Sequence, residues 1–456
     1  MPAIDRSALL FLVFGVVSLW LGAFFGLLGA WQQVMPGLFD VIPFVKSRPL
    51  HVSLVISWIF MVAVGGVYHY LPLLVGRPMH SPRLVRVHLF LWMILGLAVL
   101  GSYMLGRFGG REYWEFPPAL GGLIAVSWFL LVYNFFRTAM QGRGPWPAYL
   151  WMWATGVVFF LLTFLEAYSW LWPRDDANVV RDLTVQWKAY GALTGSWNML
   201  VYGLALVVME RISGDTEYAR SRTAFLLYAL GFTNLLFGWA HHIYPVPSAP
   251  WLRYLAYGVS MTEWILLARM IRHWRHTLDG AQRHQHVLAA HFLYASEAWV
   301  FLNLGLALLI SIPAINLFTH GTHITVAHAM GSTIGINTMI LFAAIFHTVD
   351  RVHGDTVTRV QSVRLGFWLL NGGLVLFWLS LIGAGMIKGW YTLMSDLSFQ
   401  DIMVMVRPFL MSFAAWGIVL FVGITLLAVH ASWALLGPFL RSRPVPVDRS
   451  TEAYNR

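Results

Sequence analysis

The stretch RTAFLLYALGFTNLLFGWAHHIYPVP (222–247) is apolar, long enough to cross a bilayer, and ends near two adjacent histidines, His241 and His242. A second run, HGTHITVAHAMGSTIGINTMILFAAIF (320–346), carries His328 deep inside it. Imidazole is costly in lipid, so ionisable residues inside membrane spans usually mark a metal, a proton path or a cofactor. The chain has no cysteine, which leaves these histidines as the best candidate ligands for a metal or a heme.

The composition excludes an ordinary soluble protein. Of the 456 residues, 58% are hydrophobic and 11% are charged, whereas soluble domains carry about 25% charged residues. The absence of cysteine excludes disulfides, iron–sulfur clusters, thiolate copper sites and covalent heme attachment through CxxCH. If the chain is a redox protein, its electrons must therefore come from another subunit or from a diffusible donor.

The apolar runs predict an all-α, polytopic membrane protein that forms one domain over residues 1–456. The first run is too long for a cleavable signal peptide. Arginines cluster in alternate connections, so the net charge of +10 reflects topology and does not indicate nucleic-acid binding. The positive-inside rule then puts both termini in the cytoplasm. We predict twelve spans, at 8–34, 50–74, 84–106, 119–140, 147–173, 187–210, 222–244, 252–272, 288–316, 320–347, 365–391 and 404–437.

This topology puts four histidines in the outer half of the bilayer. His51 opens a descending span, whereas His241 and His242 end a rising one. His328 lies about eight residues into the tenth span, which is about 12 Å below the surface at about 1.5 Å per residue. Convergence of ligands from three helices is what a buried redox centre in a helical bundle requires.

Several motifs add a family resemblance to this interpretation of the residues. The segments RPLHVSLVISWIFMVAVGGVYHYLP (48–72), GREYWE (110–115) and GTHITVAHAM (321–330) resemble segments of the catalytic subunit I of heme–copper oxidases. Within that superfamily the chain resembles the large subunit of nitric oxide reductases. The resemblance implies a twelve-helix bundle with two b-type hemes, in which His51 binds the low-spin heme and His328 the high-spin heme.

The same resemblance implies the other members of the site. His241 and His242 would be two ligands of a non-heme metal, and Glu115 would help to hold a calcium ion beside the heme propionates. Glu263 follows His242 at the offset of a glutamate that delivers protons to the reductase site.

Two segments depart from the family pattern. The family has His-x-His where this chain has His328-Ala329-Met330, so the low-spin heme would be held by His51 and Met330, or by His51 and a ligand that the sequence does not identify. In WNMLVYG (197–203), Asn198 stands at the position of a metal-binding histidine and Tyr202 at that of a glutamate. Because an amide oxygen is a harder ligand than imidazole, we expect iron in preference to copper. Tyr202 would supply a proton or an electron.

The expected activity is reduction of nitric oxide to nitrous oxide, a respiratory step of denitrification, by a bacterial inner-membrane oxidoreductase. Its active site would lie in the outer half of the bilayer. Electrons would come from a small subunit that carries cytochrome c or copper, or from quinol. Three alternatives stay open: a dioxygen-reducing terminal oxidase, a nitric oxide dismutase, and a non-catalytic membrane protein that binds heme or metal.

The remaining polar residues in the spans admit a structural interpretation. Glu166 and Glu297 either line a proton or water path or form a hydrogen bond to a neighbouring helix. Single histidines near helix ends are interpreted as satisfied interfacial residues: His69, His80, His88, His273, His276, His284, His286, His347 and His353.

Overall fold

The chain folds into a bundle of long α-helices in the computed structural model, which describes residues 6–172, 178–244, 246–259, 286–354 and 357–440. Thirteen helices have both ends within these ranges: α1 (Arg6–Val34), α2 (Phe44–Val75), α3 (Pro82–Met104), α4 (Pro118–Ala139), α5 (Ala148–Ala167), α6 (Val179–Ser213), α7 (Arg222–Phe237), α8 (Val287–Ser311), α9 (Pro313–Thr319), α10 (His323–Met330), α11 (Met339–His353), α12 (Gln361–Met394) and α13 (Phe399–Leu440).

Eleven helical segments among the described residues are long and apolar enough to cross a membrane. They agree with eleven of the twelve predicted spans. The predicted span 252–272 lies mostly outside the described residues. Its described part, 252–259, is helical. The predicted all-α membrane fold is therefore confirmed.

Four predicted spans are not continuous α-helices. The fifth and the seventh end in 3₁₀ turns, Ser169–Leu171 and Gly238–Ile243. The ninth was expected to run to residue 316, but α8 ends at Ser311 and α9 starts at Pro313, whose missing N–H and fixed φ favour a new first turn. The tenth contains a π-helical turn, Gly331–Thr338, between α10 and α11. Such turns often occur at functional sites.

The bundle has two ends that differ in charge. The first, called here the 105–117 end, contains the connection between α3 and α4 together with Glu112 and Glu115. The second, called here the arginine-rich end, contains the connections after α2 and α4, with Arg77 and Arg143. Because α2 runs from the first end to the second, His51 and His69 on this helix lie about 27 Å apart at about 1.5 Å per residue.

Helices α12 and α13 pack closely because glycines line part of their contact. A Cβ on Gly423 would lie 2.6 Å from the backbone nitrogen of Leu370 and 3.0 Å from the carbonyl oxygen of Gly366. Backbone atoms cannot rotate away from an added methyl group, so a larger residue at 423 would force the helices apart.

We expect Gly423→Val to destabilise the folded protein, since overpacking a close contact typically costs about 1–3 kcal/mol. The thermal unfolding midpoint in detergent would measure the loss. Gly372→Val is the control, because a Cβ at Gly372 on α12 meets nothing within 4 Å. Equal midpoints for the two variants would contradict this account of the contact.

Candidate redox site

His51 is held against α1 by a hydrogen bond to the backbone. Its Nδ1 lies 2.7 Å from the carbonyl oxygen of Gly22. A carbonyl oxygen can only accept, so Nδ1 carries the proton and Nε2 has a free lone pair. Gly26, one turn further along α1, provides the space for the imidazole ring. His51 is thus oriented as a metal-ligating histidine commonly is, by a hydrogen bond from its other nitrogen.

An ion-pair cluster lies one helical turn before His51. Arg48 donates to Glu112 at 2.6 Å and to Glu115 at 2.9 Å, which ties the 105–117 connection to α2. The Oε2 atom of Glu115 is buried and has no hydrogen-bond partner within the described ranges. Such an oxygen suits a hard cation, and calcium at Glu115 stays a prediction. Arg111, the nearest arginine to Glu115 in the sequence, pairs instead with Asp182 at 2.9 Å.

His241 and His242 lie in a 3₁₀ turn, Gly238–Ile243, that follows α7. Their ring centroids are 4.2 Å apart. Trp187 on α6 stacks on His242 with a centroid distance of 5.3 Å and an interplanar angle of 13°. The indole therefore fixes the plane of one imidazole of the pair.

Tyr113 supports Trp187 from the 105–117 connection. The two rings make an edge contact at 6.5 Å, and Tyr113 has a left-handed backbone with φ 69°. Burial raises the pKa of the Tyr113 phenol, and the negative charge of Glu112 raises it further. This tyrosine is therefore neutral, and its ring packs against Trp187.

His328 approaches the histidine pair from the tenth span. Both His241 and His242 interact electrostatically with His328. Helix α8 supports the segment after His328, because Asn303 on α8 donates to the Ser332 hydroxyl at 2.9 Å. His328 thus lies in the neighbourhood of His241 and His242, and a shared site stays a prediction.

The π-helical turn points polar groups into the bundle beside this site. Asn337 donates to Oδ1 of Asn198 on α6 at 3.2 Å. One residue further, the Thr338 hydroxyl accepts from the indole N–H of Trp58 at 3.0 Å. Asn198 therefore faces the π-helical turn that follows α10, and its role as a metal ligand stays a prediction.

For the other predicted site residues, the structure gives at most their position and burial. Tyr202 lies one turn after Asn198 on α6, is half-buried and packs against the main core. Met330 is also half-buried, two residues after His328 and so on a different side of α10. Glu263 lies outside the described residues. The roles of these three residues stay predictions.

Sequence reasoning missed three members of this region: Arg48, Trp187 and Asn337. Arg48 had a signal, since it stands one turn before His51 and the GREYWE motif supplies carboxylates. The sequence contains no such signal for Trp187 or Asn337. The position of Trp187 depends on how α6 packs against the 3₁₀ turn, and that of Asn337 depends on the π-helical turn.

A family model described as "Cytochrome C and Quinol oxidase polypeptide I" matches residues 6–420, which is most of the chain. The chain belongs to that family. Members of the heme–copper oxidase superfamily are oxidoreductases that bind hemes and a metal at a binuclear centre. They work in a membrane with partner subunits and electron donors such as cytochrome c.

Relatives of this oxidase-family chain include both reductases and oxidases. It is 22% identical over 388 residues to a nitric oxide reductase chain of Stutzerimonas stutzeri, covering 80% of each chain. It is 24% identical over 427 residues to a cbb3-type cytochrome c oxidase chain of the same organism, covering 86% of this chain and 85% of the relative. A heme–copper terminal oxidase dimer solved by cryo-EM aligns with a TM-score of 0.75 at 14% identity, covering 98% of this chain and 86% of that one, which supports the fold alone.

We expect Gly26→Ala to disturb the low-spin heme site that is predicted at His51, because the added Cβ would lie 2.6 Å from Nδ1 and 2.7 Å from Cε1 of His51. The displaced ring would lose its hydrogen bond to Gly22, and the low-spin bands of the optical spectrum should weaken. Gly29→Ala is the matched control on α1, since its Cβ would make ordinary contacts at 3.6 Å. An unchanged spectrum in Gly26→Ala would argue against His51 as a heme ligand.

Proposed function

We propose that this protein reduces nitric oxide to nitrous oxide, in a reaction that converts two NO, two electrons and two protons into one N₂O and one water. The hemes and the metal, when bound, supply electrons and bind the substrate nitrogens. The residues of the chain hold these groups, orient them and deliver protons.

The donor sets fit this cofactor complement. His51 offers a free Nε2, because its Nδ1 donates to Gly22, and it would hold the low-spin heme together with Met330. A thioether ligand raises the reduction potential relative to imidazole. His328 would hold the high-spin heme on the same short helix. Since Met330 and His328 lie on different sides of α10, each can serve a separate heme.

The observation that carries the proposal is an amide, Asn198, at the sequence position where the family has a metal-binding histidine. Within the described ranges, no three His, Cys, Asp or Glu side chains form a site that could hold a metal. The pair His241 and His242 would therefore need a ligand of another type, and Asn198 projects from α6, which packs against their 3₁₀ turn. Two imidazoles and an amide oxygen suit iron(II) better than copper, and iron favours nitric oxide reduction over the copper-based reduction of dioxygen.

Reduction of dioxygen is the second candidate, and Tyr202 favours it. A tyrosine one turn from a metal ligand can give one electron beyond those held by the metals, which the four-electron cleavage of dioxygen demands and the two-electron coupling of nitric oxide does not. The relatives include oxidases as well as a nitric oxide reductase. Direct assays of both gases decide between the two candidates.

The decisive assay supplies purified protein with a reduced donor and either gas, with heme and metal analysis of the same sample. N₂O formation from NO with electron uptake in a one-to-one ratio to NO supports the proposal. Dioxygen uptake without N₂O formation would establish the oxidase, and release of N₂ and O₂ from NO without a reductant would indicate dismutation. Bound heme with no turnover of either gas would leave a heme-binding protein.

His328→Ala should abolish N₂O formation and the high-spin signal while the low-spin bands remain, because only the high-spin heme would lose its ligand. Optical and electron paramagnetic resonance spectra would measure both heme populations. His323→Ala, at the start of α10, is the matched control and should retain both. If His323→Ala removes the low-spin bands, His323 and not Met330 is the second axial ligand.

Glu263→Gln should lower turnover by about 10² or more, the range typical of a lost general acid, with heme and metal contents unchanged. The amide keeps the shape of the side chain but cannot carry the proton. Glu166→Gln is the control, because Glu166 forms an ion pair with Lys188 at 2.5 Å. Full activity in Glu263→Gln would show that protons reach the site by another route.

A further inference from the structure

A second group of buried titratable residues lies at the arginine-rich end, far from the candidate redox site. A hydrogen bond of 2.8 Å joins the Tyr70 hydroxyl to Nδ1 of His347. The ring of His347 contacts that of His286, with centroids 4.8 Å apart. Nδ1 of His286 in turn lies 3.3 Å from Oδ2 of Asp350. We call Tyr70, His347, His286 and Asp350 the Tyr70 cluster.

The Tyr70 cluster joins several helices and is buried except for His286, whose side chain is 20% exposed. Tyr70 is 0% exposed, His347 2% and Asp350 6%. Charged and titratable groups surround it on the packed elements: His347 interacts electrostatically with His69 on α2, Arg211 on α6 and Arg351 on α11. Two hydroxyl groups also contact the cluster. Thr358 donates to Asp350 at 2.8 Å, and the Thr348 hydroxyl lies 3.3 Å from the Tyr70 hydroxyl.

The neighbouring pair Tyr68 and His88 shows that helix packing alone does not require such a cluster. The Tyr68 hydroxyl lies 3.0 Å from Nδ1 of His88, and both side chains are buried. The described neighbours of His88 are aromatic rings, among them Phe11 and Trp92. One neutral tyrosine–histidine pair is therefore sufficient to join α2 and α3, whereas the Tyr70 cluster adds a carboxylate and a second imidazole at a high desolvation cost.

Helix α8 extends from the Tyr70 cluster towards the redox site. His286 caps the start of α8, and Glu297 follows three turns later, about 16 Å along the axis and on nearly the same face at about 100° per residue. Glu297 is only 9% exposed, in the middle of α8. Further along, Asn303 contacts Ser332 close to His328.

We propose that the Tyr70 cluster takes up protons at the arginine-rich end and that Glu297 carries them through the middle of the bundle. Asp350 and the imidazoles of His286 and His347 each accept a proton at one atom and release one at another. Tyr70 passes the proton on by rotation of its hydroxyl. The need for these protons rests on the proposed function, because reduction of either gas consumes them.

The test uses the holoprotein in lipid vesicles, with orientation assigned by protease cleavage of the arginine-rich connections. Tyr70→Phe and Glu297→Gln should each lower turnover at least tenfold and abolish its dependence on the pH at the arginine-rich side. Heme content should be unchanged. Tyr68→Phe, which removes the same hydroxyl two residues away, should behave as wild type. Asp350→Asn provides a second variant of the cluster if Tyr70→Phe does not fold.

A second measurement needs no turnover. After a pH step on the arginine-rich side, infrared difference spectra should show protonation of the Glu297 carboxyl in wild type and in Tyr68→Phe, but not in Tyr70→Phe. Active protein without this signal, or equal behaviour of Tyr70→Phe and Tyr68→Phe, would overturn the proposal. The signal in a protein that reduces neither gas would support the uptake site and would refute the proposed function instead.

Discussion

The cost of burying polar groups inside a membrane protein governs how this bundle is built. Three of the buried or partly buried imidazoles have specific neighbours. His51 donates to a backbone carbonyl of α1, His242 is covered by the indole of Trp187, and His347 is joined to Tyr70. Because apolar side chains would fill the same positions without this cost, the placement of these histidines requires a chemical reason.

These polar groups separate into two layers connected by apolar packing. The layer at the 105–117 end contains the candidate ligands, and the layer at the arginine-rich end contains titratable groups without a metal-ligand pattern among the described residues. Between them, phenylalanines of α8 and α11 stack at the level of Phe292, Phe342 and Phe346. We thus propose electron chemistry and proton uptake at opposite ends, which a bundle of parallel and antiparallel helices allows within one set of spans.

Much of this architecture could be predicted from the sequence, because span length and arginine placement are local properties. The same reasoning put His241, His242 and His328 near each other, since their depths follow from helix direction and rise. It did not find Trp187 or Asn337, whose roles depend on inter-helix packing and on a π-helical turn. The interfacial interpretation of single histidines was wrong for His69, His88 and His347, which are at most 5% exposed, because only the packing of neighbouring helices distinguishes a side chain that faces the headgroups from one that faces the bundle.

The π-helical turn at Gly331–Thr338 has a consequence for how this site can change. A π turn holds one residue more than an α turn, so deleting a single residue there would restore a regular helix. Since the wider turn accommodates the additional residue, α11 would keep its orientation relative to His328 and only the turn itself would narrow. The polar groups that this turn directs into the bundle would change position, among them Asn337, which donates to Asn198. A deletion of one codon, with no substitution of any candidate ligand, would therefore alter the surroundings of Asn198 and leave the rest of the bundle in place.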